Sequence, residues 1–209
     1  RQCLNDAMDI HGGKGVITGP SNYLAQAYQA IPVAITVEGA NILMRSLIIF
    51  GQGAIRAHPW LLKEMEAVRD QQAGGRRIFD RVLFAHAGLV ISNLVRSFLL
   101  AVTGGLATRA PVGGPTAGYF RQLTRMCAAF GLTADLVLIT LGGKFKFKEK
   151  LSGRLADVLG HLYLATAVLK RFEDDGRPED DLPLVQWALG DSLYTIQESL
   201  RGVLANFPL

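Results

Sequence analysis

The 209 residues are 49% hydrophobic and 19% charged, with a formal net charge of only +4. So small an excess of positive charge argues against a nucleic-acid partner, and no aromatic-plus-basic repeat that would stack bases occurs. The length allows a substantial core, in one domain or two small ones, and the apolar content predicts that some apolar surface faces a partner.

In chain order, Leu4, Ala7, Met8 and Ile10 follow helical spacing and predict a first helix that stops at Gly12-Gly13. Arg1 already lies inside this pattern, so the chain reads as the C-terminal part of a longer protein, with no signal-peptide layout. Pro20-Ser21 opens a short helix to about Ala30, with Ser21 as its N-cap. Ile31-Pro32-Val33 breaks it, because proline excludes the helical state for its predecessor. Thr36 caps the next predicted helix, from about Val37 to Ala57, which His58-Pro59 closes. Another runs from Pro59 to about Gln72.

From residue 76 the units lengthen. Helices are expected over about Arg76–Val102, Thr116–Leu141, Lys148–Asp174 and Leu182–Ala205, separated by glycine and proline clusters and by an acidic linker. Short connections predict an antiparallel four-helix bundle, and no strand pattern is sustained, so the fold class is all-α. The domain division is 1–75 and 76–209. Val82 to Leu106 is strongly apolar, but His86, Asn93 and Arg96 interrupt it, which favours a buried bundle helix over a membrane span.

Cys3 and Cys127 are far apart and suggest a reducing compartment. His11, His58, His86 and His161 show no metal-ligand spacing and read as structural, so no metal is expected.

Two features point to chemistry. Glu38 sits where an apolar stretch turns into a helix, and a carboxylate among apolar neighbours suits a proton-abstracting base. The alternative is a first-turn acid that only complements the helix dipole. His11-Gly12-Gly13-Lys14-Gly15 follows a helix, so it is no Rossmann fingerprint. It is either a plain helix stop or a turn whose amides meet a phosphate beside Lys14. Lys144-Phe145-Lys146-Phe147-Lys148-Glu149-Lys150 is the densest basic run, either a solvated helix start or a contact with anionic lipid.

The strings His11-Gly12-Gly13-Lys14-Gly15 and Val37-Glu38-Gly39-Ala40 resemble the glycine turn and the Glu-Gly-Thr motif of acyl-CoA dehydrogenases. The wider run from Ile31 to Arg56, with Lys144–Lys148 and Leu164–Phe172, is similar to the large bacterial branch that serves fatty-acid β-oxidation. The resemblance covers essentially the whole chain. It implies that residues 1–75 end the catalytic helical domain and that residues 76–209 are a helical-bundle extension.

The resemblance also implies a reaction. Glu38 would remove the α-proton of an acyl-CoA, a hydride would pass to FAD, and trans-2-enoyl-CoA would form. The Glu38 amide and a flavin ribityl hydroxyl would hold the thioester carbonyl. Gly12 and Gly13 would contact the FAD of a neighbouring subunit, with Gly39, Ala40 and Asn41 as further FAD contacts. Val37, Ala40 and Asp9 depart from the family's usual aromatic, threonine and glutamine.

The implied partners are a fatty acyl-CoA, the N-terminal and middle domains of the same chain, and a second copy in a homodimer. The implied location is cytoplasmic, or peripheral on the inner membrane through Lys144–Lys150. By this resemblance the piece alone is inactive. The competing reading is a non-catalytic helical interaction or membrane-surface module.

Overall fold

The computed structural model describes residues 2–36, 43–70 and 74–207. All regular structure among the described residues is helical, as expected. The chain forms two compact units, Arg1–Met44 and Arg45–Leu209.

In the first unit, α1 spans Gln2–His11, followed by a 3-10 turn at Gly12–Val16, α2 at Ala25–Ala30 and α3 at Val33–Thr36. The expected stop at Gly12 holds, with Gly12 at φ +60, the left-handed conformation that glycine adopts cheaply. Ser21 does not cap α2. The helix starts later, after Leu24, because Asn22 organises the preceding loop. Its Nδ2 donates to the Gly15 carbonyl at 2.8 Å and to the Ile17 carbonyl at 3.1 Å. Thr36 ends α3 where a cap of the following helix was expected.

In the second unit, a π-helical segment at Met44–Gln52 leads into α4, Gly53–Ala57, and then α5, Leu61–Arg69. This part of the helix predicted to Ala57 is therefore π-helical, a rare form found mostly as short interruptions of α-helices. The segment is pinned to α8, which spans Glu149–Asp174. The Arg45 guanidinium makes a two-pronged ion pair with Asp157, and the Ser152 hydroxyl donates to the Ser46 carbonyl. The Asp157 carboxylate holds the Arg45 guanidinium above its already high ordinary pKa.

The other long helices are α6, Gly75–Val102; α7, Ala117–Leu141; and α9, Leu182–Ala205. All four long helices fall within a residue of their expected bounds. Pro183 occupies the first turn of α9, where its missing N–H costs nothing.

Contacts join opposite ends of neighbouring helices. Gln122 near the start of α7 donates to the Gly104 carbonyl just past the end of α6, Thr116 at the start of α7 meets Glu173 near the end of α8, and Arg154 near the start of α8 meets Gly202 near the end of α9. Neighbouring helices are therefore antiparallel. The main core belongs to α7, α8 and α9, with Leu123, Val158, Leu169, Leu189 and Ile196 at its centre. A second cluster joins Phe50, Val137, Phe145, Leu155 and Val203.

The buried-helix expectation for Val82–Leu106 needs correction. In α6 only Gly75, Val82, His86 and Leu100 are buried, while Phe84, Ile91, Phe98 and Val102 are exposed. The helix packs on α5 and α7, and apolar side chains on its remaining faces stay uncovered. Gly75–Val102 and Ala117–Phe147 are each long and apolar enough to cross a membrane by length and composition. The second of these contributes buried side chains to the core.

Gly75 is required by close approach. A Cβ there would lie 2.5 Å from the Asp70 carbonyl oxygen and 3.2 Å from that of Ala67. Gly75→Ala is expected to destabilise the protein by about 1–3 kcal/mol, the usual cost of overpacking. Gly74→Ala, where a Cβ would meet nothing within 4 Å, is the control and should leave the melting temperature nearly unchanged.

The end of α8 carries a polar anchor. Glu173 accepts from the Thr116 hydroxyl at 2.6 Å and from Arg177 Nε at 2.5 Å. Desolvation pushes the Glu173 carboxyl up, but Thr116 and Arg177 together outweigh it and hold the group below its ordinary value of 4.5. A carboxyl lowered on folding contributes stability that is complete above its unfolded pKa and is lost as the pH falls through the folded one. Urea titrations should therefore show Glu173→Gln less stable at neutral pH, with a shallower loss below about pH 4.5 than the native protein.

Candidate functional site

The glycine turn is present as a backbone feature. A Cβ built on Gly12 or Gly13 would meet no atom within 4 Å, so the turn is open on that side. Lys14 follows within the same 3-10 turn. An open turn next to a lysine leaves room for an anionic group. The carbonyl end of α1 and Asp9 oppose it in charge, which leaves Lys14 to supply the balance. Glu38, Gly39, Ala40 and Asn41 lie outside the described residues.

The basic run divides between its two readings. Phe145 is 4% exposed and packs edge-on against Phe50, with ring centres 5.6 Å apart. Phe147 is 75% exposed, with Lys146 Nζ 4.9 Å from its ring centre. One phenylalanine thus anchors the loop to the core, and the other stands among the lysines at the surface.

The structure also assembles a polar cluster that residue spacing does not suggest. His58 leaves α4 in an extended conformation, and its Nδ1 faces the Trp60 amide at 3.2 Å and the Leu61 amide at 3.1 Å. Both amides donate, so Nδ1 is the acceptor and the ring proton resides on Nε2. That Nε2–H points to Asp135 Oδ1 at 3.0 Å. His86 on α6 has Nδ1 2.7 Å from Glu64 Oε1 on α5. A carboxylate only accepts, so His86 donates from Nδ1, and its Nε2 faces Asp135.

That Nε2 lies 3.8 Å from Asp135 Oδ1, and the two imidazole centres are 4.6 Å apart. The side chains of His86 and Asp135 are 9% and 3% exposed. His86 Nε2 and Asp135 Oδ2 have no hydrogen-bond partner. Buried polar atoms left in this state usually mark strain, a functional group or an unseen ligand. Beside the cluster lies a cavity of about 250 Å³, lined by His58, Asp135 and Asn93 among apolar side chains such as Phe50, Phe130 and Leu159.

His58, Glu64, His86 and Asp135 come from four separate elements, so their spacing carries no motif. The usable signal was the placement of two lone polar residues, His86 and Asp135, inside apolar runs. His11 and His161 have ordinary neighbours: His11 stacks edge-on with Tyr23 at 4.9 Å, and His161 Nδ1 lies 3.4 Å from Ser192 Oγ. Both cysteines are free thiols.

Residues 55–209 match the family described as acyl-CoA dehydrogenase, C-terminal, bacterial type. The chain belongs to this family, as the resemblance implied. No solved structure matches it.

Proposed function

We propose that the chain is part of an FAD-dependent acyl-CoA dehydrogenase that forms trans-2-enoyl-CoA in fatty-acid β-oxidation, with Glu38 as the α-proton base. The family membership of residues 55–209 supports this reading, and the Glu38-Gly39 string lies upstream of the matched region. The Glu38 carboxylate takes a proton from the carbon next to the thioester. An α-C–H is a weak acid, so charge developing on the thioester oxygen must be stabilised, and the Glu38 backbone N–H supplies one donor. FAD, when bound, accepts the β-hydride. Gly12, Gly13 and Lys14 would hold its pyrophosphate, with Gly39, Ala40 and Asn41 close to it.

The test is Glu38→Gln in an enzyme with all its catalytic domains, assayed for acyl-CoA oxidation. Loss of turnover with retained helicity and FAD content supports the assignment; an unchanged rate refutes it. The 209-residue chain alone, with no strand among its described residues, should neither retain FAD on gel filtration nor oxidise an acyl-CoA. A dehydrogenase rate from it would contradict that expectation.

The region 76–209 acts as a packing extension of the catalytic region and supports a homodimer. The exposed apolar face of α6 favours such a role over chemistry of its own. The protein is cytoplasmic and reaches the inner membrane surface through Lys144, Lys146, Phe147, Lys148 and Lys150. Co-sedimentation with anionic vesicles should weaken as salt rises, and binding to neutral vesicles should be absent. Equal binding to both would remove the electrostatic contact.

A further inference from the structure

We propose that His86 Nε2 and Asp135 bind a divalent transition-metal ion of the zinc class, with Glu64 and His58 as the outer groups that orient them. The inference is independent of the dehydrogenase reading. It starts from geometry. Glu64 takes the His86 Nδ1–H at 2.7 Å, which turns Nε2 toward the buried Asp135. Opposite it, at 3.8 Å, stands Asp135 Oδ1. Nε2 has no hydrogen-bond partner, and a metal ion between it and the carboxylate would satisfy both groups.

The spacing suits a metal. Zinc–nitrogen and zinc–oxygen bonds are about 2.0–2.2 Å, so the two ligand atoms should be about 3.4 Å apart at a tetrahedral angle and at most about 4.2 Å apart in line. The observed 3.8 Å lies between these limits. Ring nitrogens of His58 and His86 and a carboxylate oxygen of Asp135 gather within 4.8 Å of one another.

The surroundings are those of a metal site. A ligating histidine ordinarily donates its other N–H to a carboxylate, and a ligating carboxylate is itself hydrogen-bonded. Glu64 does the first for His86, and His58 Nε2–H does the second for Asp135. His58 is not a ligand, because the two amides on its Nδ1 keep its proton on Nε2. Both orphaned atoms of the cluster, His86 Nε2 and Asp135 Oδ2, belong to the two ligand residues. Water entering from the adjoining cavity would complete the coordination, since His58 and Asp135 line it. A mixed imidazole–carboxylate set favours zinc or cobalt over magnesium or calcium, which prefer oxygen alone. The ion would clamp α6 to α7, where α6 otherwise has few buried side chains.

The test is metal uptake by the full chain after chelator treatment, using Zn²⁺ in calorimetry and Co²⁺ in absorption spectroscopy. One ion per chain is expected, with a Co²⁺ band pattern of four- or five-coordination. Asp135→Asn and His86→Gln should abolish uptake, Glu64→Gln should weaken it about 10- to 100-fold, and His161→Gln should leave it intact. Because a core variant can fail to fold, the native chain is also read directly by ¹⁵N NMR. The His86 Nε2 resonance should shift when Zn²⁺ is added. Three results would each overturn the proposal: no stoichiometric uptake, uptake unchanged in folded His86→Gln, or a His86 Nε2 resonance that Zn²⁺ leaves unmoved.

Discussion

Glutamine at position 38 is expected to lower the rate of acyl-CoA oxidation by at least about 10²–10⁴-fold, the usual contribution of a positioned general base. The substitution keeps the side chain's length and its backbone amide, and removes only the capacity to take a proton. The loss should therefore appear in kcat, while binding of the acyl-CoA changes little. Aspartate at the same position keeps the acid but shortens the reach, so Glu38→Asp should fall between native and glutamine. A folded, flavin-loaded Glu38→Gln enzyme that turns over at the native rate would return Glu38 to a first-turn acid complementing a helix dipole.

The second large effect is expected in the core. Leu189 of α9 is fully buried and belongs to the cluster shared by α7, α8 and α9. Leu189→Ala removes buried methyl groups and leaves a void, at a cost of about 2–5 kcal/mol. That is a large fraction of the roughly 5–15 kcal/mol by which domains are stable. Leu184 lies on the same helix but is 69% exposed, so Leu184→Ala should cost under about 0.5 kcal/mol. Thermal unfolding of both variants checks the assignment of the core face. Equal shifts would mean that α9 packs differently.

These two predictions rest on different parts of what the chain reveals. The four long helices were legible because their ends are written in glycine, proline and acidic clusters and their interiors in a helical apolar period. The start of α2 was not, because Asn22, rather than Ser21, found the loop carbonyls it could reach. The exposure of α6 was also hidden. A strongly apolar helix reads as buried, yet only the fold decides how many of its faces meet a neighbour. The polar cluster was out of reach for a related reason. His58, Glu64, His86 and Asp135 converge only once α5, α6 and α7 pack together, and no spacing encodes that convergence. The roles of the Glu38-Gly39 string and of the glycine turn rest on resemblance, and the backbone at Gly12 and Gly13 is open.

The most direct measurement isolates the first chemical step. An acyl-CoA analogue with sulfur in place of its β-carbon has no hydride to lose, but keeps acidic protons next to the thioester. Incubated in D₂O with the flavin-loaded enzyme, it should exchange those protons for deuterium, and the exchange should vanish with Glu38→Gln. Undiminished exchange in that variant would show that another group removes the proton.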